Sequence, residues 1–120
     1  MSVSGNEGAI LPLAQVVLGT SDTVIYTGLS GSTAPIVTYV NILWIANTDS
    51  NDRTFTLHYW LTGALTVSNS LTEAQSIKAN TSFYYNFHNP GLPIPTGYTL
   101  YGKADSAAKI TATIFGSVKI

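Results

Sequence analysis

The last eleven residues of the chain alternate strictly between two series of side chains. One series is Ile110, Ala112, Ile114, Gly116, Val118 and Ile120, and the other is Thr111, Thr113, Phe115, Ser117 and Lys119. Successive side chains of a β-strand point to opposite faces of the sheet, so this two-residue period predicts a strand with one buried face. A helix would need a period near 3.6 residues and is excluded here.

Two more long segments have strand patterns. Arg53 to Leu61 places Phe55, Leu57, Tyr59 and Leu61 on one face, and Thr54, Thr56, His58 and Trp60 on the other. Pro35 to Asn47 predicts a longer strand that is apolar on both faces from Ile42 to Ala46, so we expect one face in the core and the other in a contact. Shorter strands are predicted at Gln15–Leu18, Thr23–Thr27, Ser76–Lys78, Ser82–Phe87 and Thr99–Ala104. The expected core residues are Leu43, Ile45, Phe55, Leu57, Ile110, Ile114 and Val118.

Turn-forming residues separate these segments about every ten residues, as at Gly19–Asp22 and Asn47–Asp52. Short strands at this spacing predict an all-β fold: an antiparallel β-sandwich of jelly-roll or Greek-key type with seven to eight strands. A single helical turn is predicted near Leu71–Gln75. Asp49 and Asp52 share one turn, where capping of backbone N–H groups is their expected role.

Residues 1–13 are predicted to form an extended N-terminal arm, and residues 14–120 a single sandwich domain. The arm ends in the apolar group Ile10–Leu13, which should be docked because burial of each Leu or Ile stabilises by about 1.5 to 3 kcal/mol. Either it closes its own sandwich as an N-terminal strand, or it reaches a neighbouring subunit or the surface to which the protein is attached. Asn86–Tyr98 contains Pro90, Pro93 and Pro95, so we expect a loop that cannot pair as a central strand.

Charge is scarce in this chain. Only 9% of the 120 residues are charged, the net charge is −1, and there is no cysteine. A nucleic-acid partner is therefore not expected, because binding the phosphate backbone needs a basic surface. Disulfides and thiolate chemistry are excluded. No basic and apolar leader opens the sequence, and no apolar run reaches about 18 residues, so neither a secretion signal nor a membrane span is expected.

Catalytic and metal-binding patterns are missing from the sequence. His58 and His88 stand thirty positions apart, and neither has a second ligand at the short spacings that metal sites use. Serine is plentiful, but no Gly-x-Ser-x-Gly elbow is present. The acidic residues lie mostly in predicted turns, which does not favour a pair of glycosidase carboxylates. We therefore expect no enzyme activity, no cofactor and no metal.

Aromatic residues are the remaining candidates for a functional surface. They are Trp44, Trp60, Tyr59, Tyr84, Tyr85 and Tyr101. Aromatic side chains on a sandwich face can stack on sugar rings, which would make the protein a carbohydrate-binding module. The favoured interpretation is that some belong to the core and the rest to a protein interface, where Tyr and Trp are enriched.

Several segments resemble a family of small β-sandwich virion proteins of tailed bacteriophages and prophages. The residues concerned are Leu18–Thr27, Val40–Thr48, Thr54–Tyr59, Gly97–Ala104 and Ile110–Ile120. The likeness covers about Leu18 to Ile120, and this chain departs from it at Leu29–Pro35 and in a longer loop at Asn86–Pro95. The resemblance implies a structural part of the virion without catalytic residues.

The expected function is that of a capsid decoration, or cement, protein in the virion, which bridges and stabilises the lattice of the major capsid protein. Its expected partners are itself, as a closed homotrimer, and the major capsid protein or a neighbouring virion protein. The alternative is a tail or fibre module that binds a host glycan through Trp and Tyr, and a small hydrolase is the least supported class. The candidate interface residues are Ile10, Leu11, Pro12, Leu13, Trp44, His58, Trp60, Phe87, Leu92 and Ile94.

Overall fold

A computed structural model describes residues 10–29, 36–61 and 70–119. These residues form nine β-strands and no helix. The strands are β1 (Leu11–Val17), β2 (Thr23–Thr27), β3 (Val37–Asn47), β4 (Arg53–Leu61), β5 (Ser70–Ile77), β6 (Ser82–Asn86), β7 (Leu92–Pro95), β8 (Tyr98–Ala104) and β9 (Ile110–Lys119). The all-β prediction is confirmed, with one or two strands more than expected.

The strands form two antiparallel sheets that pack as a sandwich. The first sheet has the order β1-β9-β3-β6, with β7 beside the other half of β3, and the second has the order β2-β8-β4-β5. Most connections cross from one sheet to the other, and only β4–β5 and β6–β7 stay within a sheet. With β7 set aside, the eight remaining strands have jelly-roll connectivity.

The core lies between the sheets and contains the residues that the alternation predicted. Leu43, Ile45, Leu57, Ile110 and Ile114 are fully buried, and Phe55 is 1% exposed. Val118 corrects the prediction, because it is only half-buried at the end of β9, one residue before Lys119. The predicted alternation of buried and outward-facing side chains therefore holds through most of β9.

A β-bulge at Asn41 changes the phase of β3. Register with β9 shifts between Val40, which faces Gly116, and Ile42, which faces Phe115. Before the bulge the buried residues are Thr38 and Val40, and after it they are Leu43, Ile45 and Asn47. One extra residue in one strand of a pair has this effect. Ile42, Trp44 and Ala46 therefore face away from the core.

Two segments differ from the sequence-based expectations. The predicted helical turn at Leu71–Gln75 is wrong, because this segment belongs to β5 and pairs with β4. The predicted Asn86–Tyr98 loop contains β7, which pairs with Val37–Val40. Both β1 and β7 lie at sheet edges, as their prolines require.

The end of the predicted N-terminal arm is part of the sandwich. Leu11 and Pro12 pair with Gly116 and Phe115 of β9, and Leu13 packs against the core. Of the two interpretations of Ile10–Leu13, the structure therefore supports an N-terminal strand for Leu11–Leu13. Residues 1–9 lie outside the described residues.

The turn between β3 and β4 is held by side chains. The amide of Asn47, which is 2% exposed, donates to the carbonyl oxygens of Asn51, Ile77 and Lys78. Asp49 accepts a hydrogen bond from the Ser50 N–H at 2.8 Å. These contacts confirm the predicted capping role, since carboxylates accept the otherwise unpaired N–H groups of turns.

Two carboxylates of this turn have lowered pKa values. The Arg53 guanidinium, 2.6 Å from Asp49, holds the pKa of that carboxyl below its ordinary value of 3.8. The backbone N–H of Ala79 donates to Asp52 at 2.9 Å and lowers the pKa of Asp52 in the same direction. Both interactions favour the charged form and so link folding to pH.

Truncation of Phe55 should strongly destabilise the sandwich. Its ring is 1% exposed and packs edge-on against Phe83 at 5.5 Å. We expect Phe55→Ala to lower the free energy of unfolding by about 3 to 5 kcal/mol, measured by urea denaturation. Val24→Ala, at a position 50% exposed, is the control. An equal loss in both variants would contradict the described core.

Stability should fall in acid because of Asp49 and Asp52. A carboxyl with a lowered folded pKa contributes stability above its unfolded pKa and loses it as the pH falls through the folded pKa. Urea denaturation should therefore show the loss below about pH 4. Asp49→Asn with Asp52→Asn should be less stable at pH 7 and should flatten this dependence. Asp105→Asn, at an exposed site outside this turn, is the control and should keep the wild-type slope.

Candidate functional site

The outer face of the first sheet carries two of the three exposed aromatic side chains among the described residues, Trp44 and Tyr84. Residues directly opposite in antiparallel strands share a face, so the register fixes its members. We call this surface the Trp44 face. It comprises Pro12, Gln15 and Val17 of β1, Thr111, Thr113 and Phe115 of β9, Ile42, Trp44 and Ala46 of β3, and Ser82, Tyr84 and Asn86 of β6. None of these side chains is charged.

Trp44 lies on the inner strand β3 of this face, and Tyr84 lies opposite it on the edge strand β6. Trp44 is 41% exposed and Tyr84 67% exposed, and their rings meet edge to face with centroids 6.2 Å apart. They border a groove of about 350 Å³ together with Ile42, Asn86 and Phe115. The T-shaped contact is a favourable aromatic geometry, so each ring restrains the other.

Polar groups adjoin the aromatic pair on β1, on β9 and at the end of β3. Gln15 of β1 donates from Nε2 to the Thr113 hydroxyl of β9 at 2.9 Å. Thr48 lies where β3 ends, and its hydroxyl donates to the Lys109 carbonyl. The face therefore combines aromatic side chains with neutral hydrogen-bonding groups, a mixture that occurs at protein interfaces.

A second aromatic cluster lies on the other sheet. Trp60, 41% exposed, meets Tyr98 edge to face at 5.8 Å, and Tyr98 stacks on Tyr59. The Tyr59 hydroxyl donates to the carbonyl oxygen of Pro93, and burial together with the neighbouring Tyr98 raises the pKa of Tyr59. The two tryptophans therefore belong to different sheets and do not form one aromatic surface.

His58 lies inside the protein and pairs with an acid. Its side chain is 6% exposed, and Nδ1 is 3.0 Å from Oδ1 of Asp22. Among the described residues, no serine or threonine hydroxyl is hydrogen-bonded to the His58 ring. The pair therefore links Asp22, which precedes β2, to β4, and the hydrogen bonds of His58 do not assemble a catalytic triad.

The predicted interface residues divide into three groups. Ile94 is fully buried and His58 is 5% exposed, so both are corrected to interior residues, which a partner cannot reach. Leu13, Phe87 and Leu92 are half-buried against the core. Exposed members are Ile10, Leu11, Pro12, Trp44 and Trp60. Only Pro12 and Trp44 from the predicted set lie on the Trp44 face.

Sequence reasoning left out several members of this face. The sequence placed Ile42 and Phe115 in predicted strands but not among the candidate interface residues. Nothing in the sequence marked Gln15 or Thr113 as functional. The apolar run Ile42–Ala46 was the available sign, because a strand that is apolar on both faces predicts a contact outside the core. Strand order, which sequence alone does not give, brings β1, β9, β3 and β6 side by side.

In residues 10–29, 36–61 and 70–119, no three His, Asp or Glu side chains gather into a group suited to holding a metal ion. Over the same ranges, no helix has the length and apolar character that crossing a membrane requires.

Comparisons of the chain with protein-family models, with curated proteins and with solved structures gave no match. The resemblance to small virion sandwich proteins therefore rests on the sequence segments given above.

Proposed function

We propose that the protein is a non-enzymatic structural protein that binds another protein through the Trp44 face. The proposal rests chiefly on an exposed aromatic pair, Trp44 and Tyr84, on a face whose twelve contributing side chains include no charge. Exposed aromatic patches with polar surroundings mark interaction sites, and buried Trp and Tyr supply most of the binding energy of many interfaces.

The rigid backbone and the uncharged side chains of the Trp44 face support a protein as the partner. The face belongs to four adjacent strands, so its backbone is fixed before a partner arrives and little ordering entropy is lost on binding. Its side chains offer apolar surface, hydroxyls and amides. A charged partner would gain nothing from such a surface, whereas a neutral and apolar protein surface would be well matched.

We propose a virion as the assembly, with the protein serving as a capsid decoration protein. Two arguments support this. Residues 18–120 resemble small virion sandwich proteins, and the jelly-roll connectivity occurs in viral capsid domains, although one fold serves many functions. A protein that binds only the assembled lattice stabilises it by mass action, and no chemical step is needed.

Binding to capsids should depend on Trp44 and not on Trp60. The test is co-sedimentation with assembled shells of the major capsid protein encoded in the same genome. We expect Trp44→Ser to weaken binding by about tenfold or more, because a central tryptophan typically contributes a large share of the binding energy. Trp60→Ser is a matched control, since both tryptophans are 41% exposed and lie on different sheets. Equal loss in both variants, or no binding by the wild type, would contradict the proposal.

Fluorescence separates this proposal from glycan binding. In the variant Trp60→Phe, Trp44 is the one remaining tryptophan of the chain. Shells should shift its emission to the blue as the indole leaves water, whereas neutral oligosaccharides should leave the emission unchanged. Saturable quenching by an oligosaccharide, without a response to shells, would instead assign the face to carbohydrate.

A further inference from the structure

The outer edge of β6 presents unpaired backbone groups. In its ladder with β3, the bonds to β3 come from alternate residues, as the contacts of Thr81 O with Asn47 N and of Phe87 N with Asn41 O show at either end. The N–H and C=O groups of Ser82, Tyr84 and Asn86 therefore point away from β3. Within the described residues, no backbone group bonds to them. All three residues are exposed.

Every other sheet edge is interrupted. β1 contains Pro12 and a register shift between Pro12 and Ala14, and β2 has a shift between Val24 and Tyr26. β5 has two shifts in its ladder, and its Ala74 has a φ of 45°. Prolines and bulges of this kind prevent edge strands from pairing with other chains.

Two prolines, Pro93 and Pro95, interrupt the short strand β7. By contrast, β6 pairs with β3 in unbroken register over all five residues, and it contains no proline and no charged residue. Among the described edge strands, β6 is therefore the one that has no proline, register shift or charged residue to oppose pairing with another chain.

We propose that β6 is a homotypic docking edge, at which β6 of a second copy pairs antiparallel with it about a two-fold axis at Tyr84. The inference is separate from the proposed function, because it rests on the outward backbone groups of Ser82, Tyr84 and Asn86, whereas the proposed function rests on the side chains of the Trp44 face.

The sequence of β6 is complementary to itself in this register. Tyr84 faces Tyr84 of the second copy, and each Ser82 faces an Asn86. Each of these pairs exchanges two N–H···O=C bonds, so all the outward groups of both strands are used. Small and polar side chains meet across the ladder, the tyrosines meet at its centre, and no like charges are opposed.

The product is one continuous sheet across two subunits. An isologous contact of this type is closed, so it stops at a dimer. It therefore predicts a dimer in place of the trimer expected from the sequence. The two Trp44 faces lie on the same side of the joined sheet, and both stay open to a further partner.

Charged substitutions of Tyr84, which lies at the two-fold axis, test whether the two β6 strands pair in the proposed register. The wild-type protein should have twice the mass of a 12.8 kDa chain by light scattering at micromolar concentration. Tyr84→Lys and Tyr84→Glu should each be monomeric, because like charges meet at the axis. An equimolar mixture of the two variants should regain the dimer mass. A monomeric wild type, or a mixture that stays monomeric while the wild type is dimeric, would overturn the proposal.

Substitutions of Ser82 and of Trp44 test whether the dimer forms through the backbone of β6 or through the Trp44 face. Ser82→Pro removes an outward N–H on each strand and should weaken dimerisation by about tenfold or more, while Ser82→Ala keeps the N–H and should leave it unchanged. Trp44→Ser should also leave the dimer intact, so the failure of this inference differs from a failure of the proposed function. Dimerisation that is lost in Trp44→Ser and kept in Ser82→Pro would assign the contact to the face and overturn edge pairing.

A cysteine cross-link provides an independent measurement. The natural chain has no cysteine, so Tyr84→Cys introduces a single thiol. Facing residues of an antiparallel pair are about 5.5 Å apart at Cα, within the range of a disulfide. We expect rapid oxidation to a covalent dimer, whereas Val17→Cys, exposed on the opposite edge, should stay uncoupled. Equal cross-linking at both positions would contradict the register.

Discussion

The pairing of β3 with β9 is the constraint on which the rest of the structure depends. These are the two longest strands, and they stand at the centre of the first sheet, with β1 on one side and β6 and β7 on the other. Their ladder runs from Val37 to Asn47 with a single shift at Asn41. That shift lets Val40 and Leu43 both enter the core, although they are an odd number of residues apart. It thereby directs Trp44 outward.

The same pairing links the hydrophobic core to the candidate site. Side chains of Leu43 and Ile114 fill the interior, and their neighbours Trp44 and Thr113 face each other on the outside. A close-packed interior resists small shifts, so the outer aromatic residues are held on a rigid support. If the Trp44 face is buried in an assembly, as we propose, its lack of charge avoids the cost of removing charges from water.

Much of the fold was predictable because strand periodicity is a local property. The alternation in Ile110–Ile114 and in Phe55–Leu57 identified buried residues correctly, since side chains on one face of a strand share one environment. The phase change at Asn41 was not predictable, because no residue type marks a bulge. The burial of His58 depends on Asp22 from a distant turn, and that of Ile94 depends on the pairing of β7 with β3. Such non-local contacts leave no local pattern.

The central claim is that the Trp44 face is covered by another protein in the assembled state. A cryo-electron microscopy map of the decorated shell tests this most directly, because it locates both sheets of the sandwich relative to their neighbours. We expect Trp44 and Tyr84 to lie in van der Waals contact with a capsid subunit. A map in which this face points to solvent, while the sandwich is attached through the second sheet and its Trp60 cluster, would contradict it.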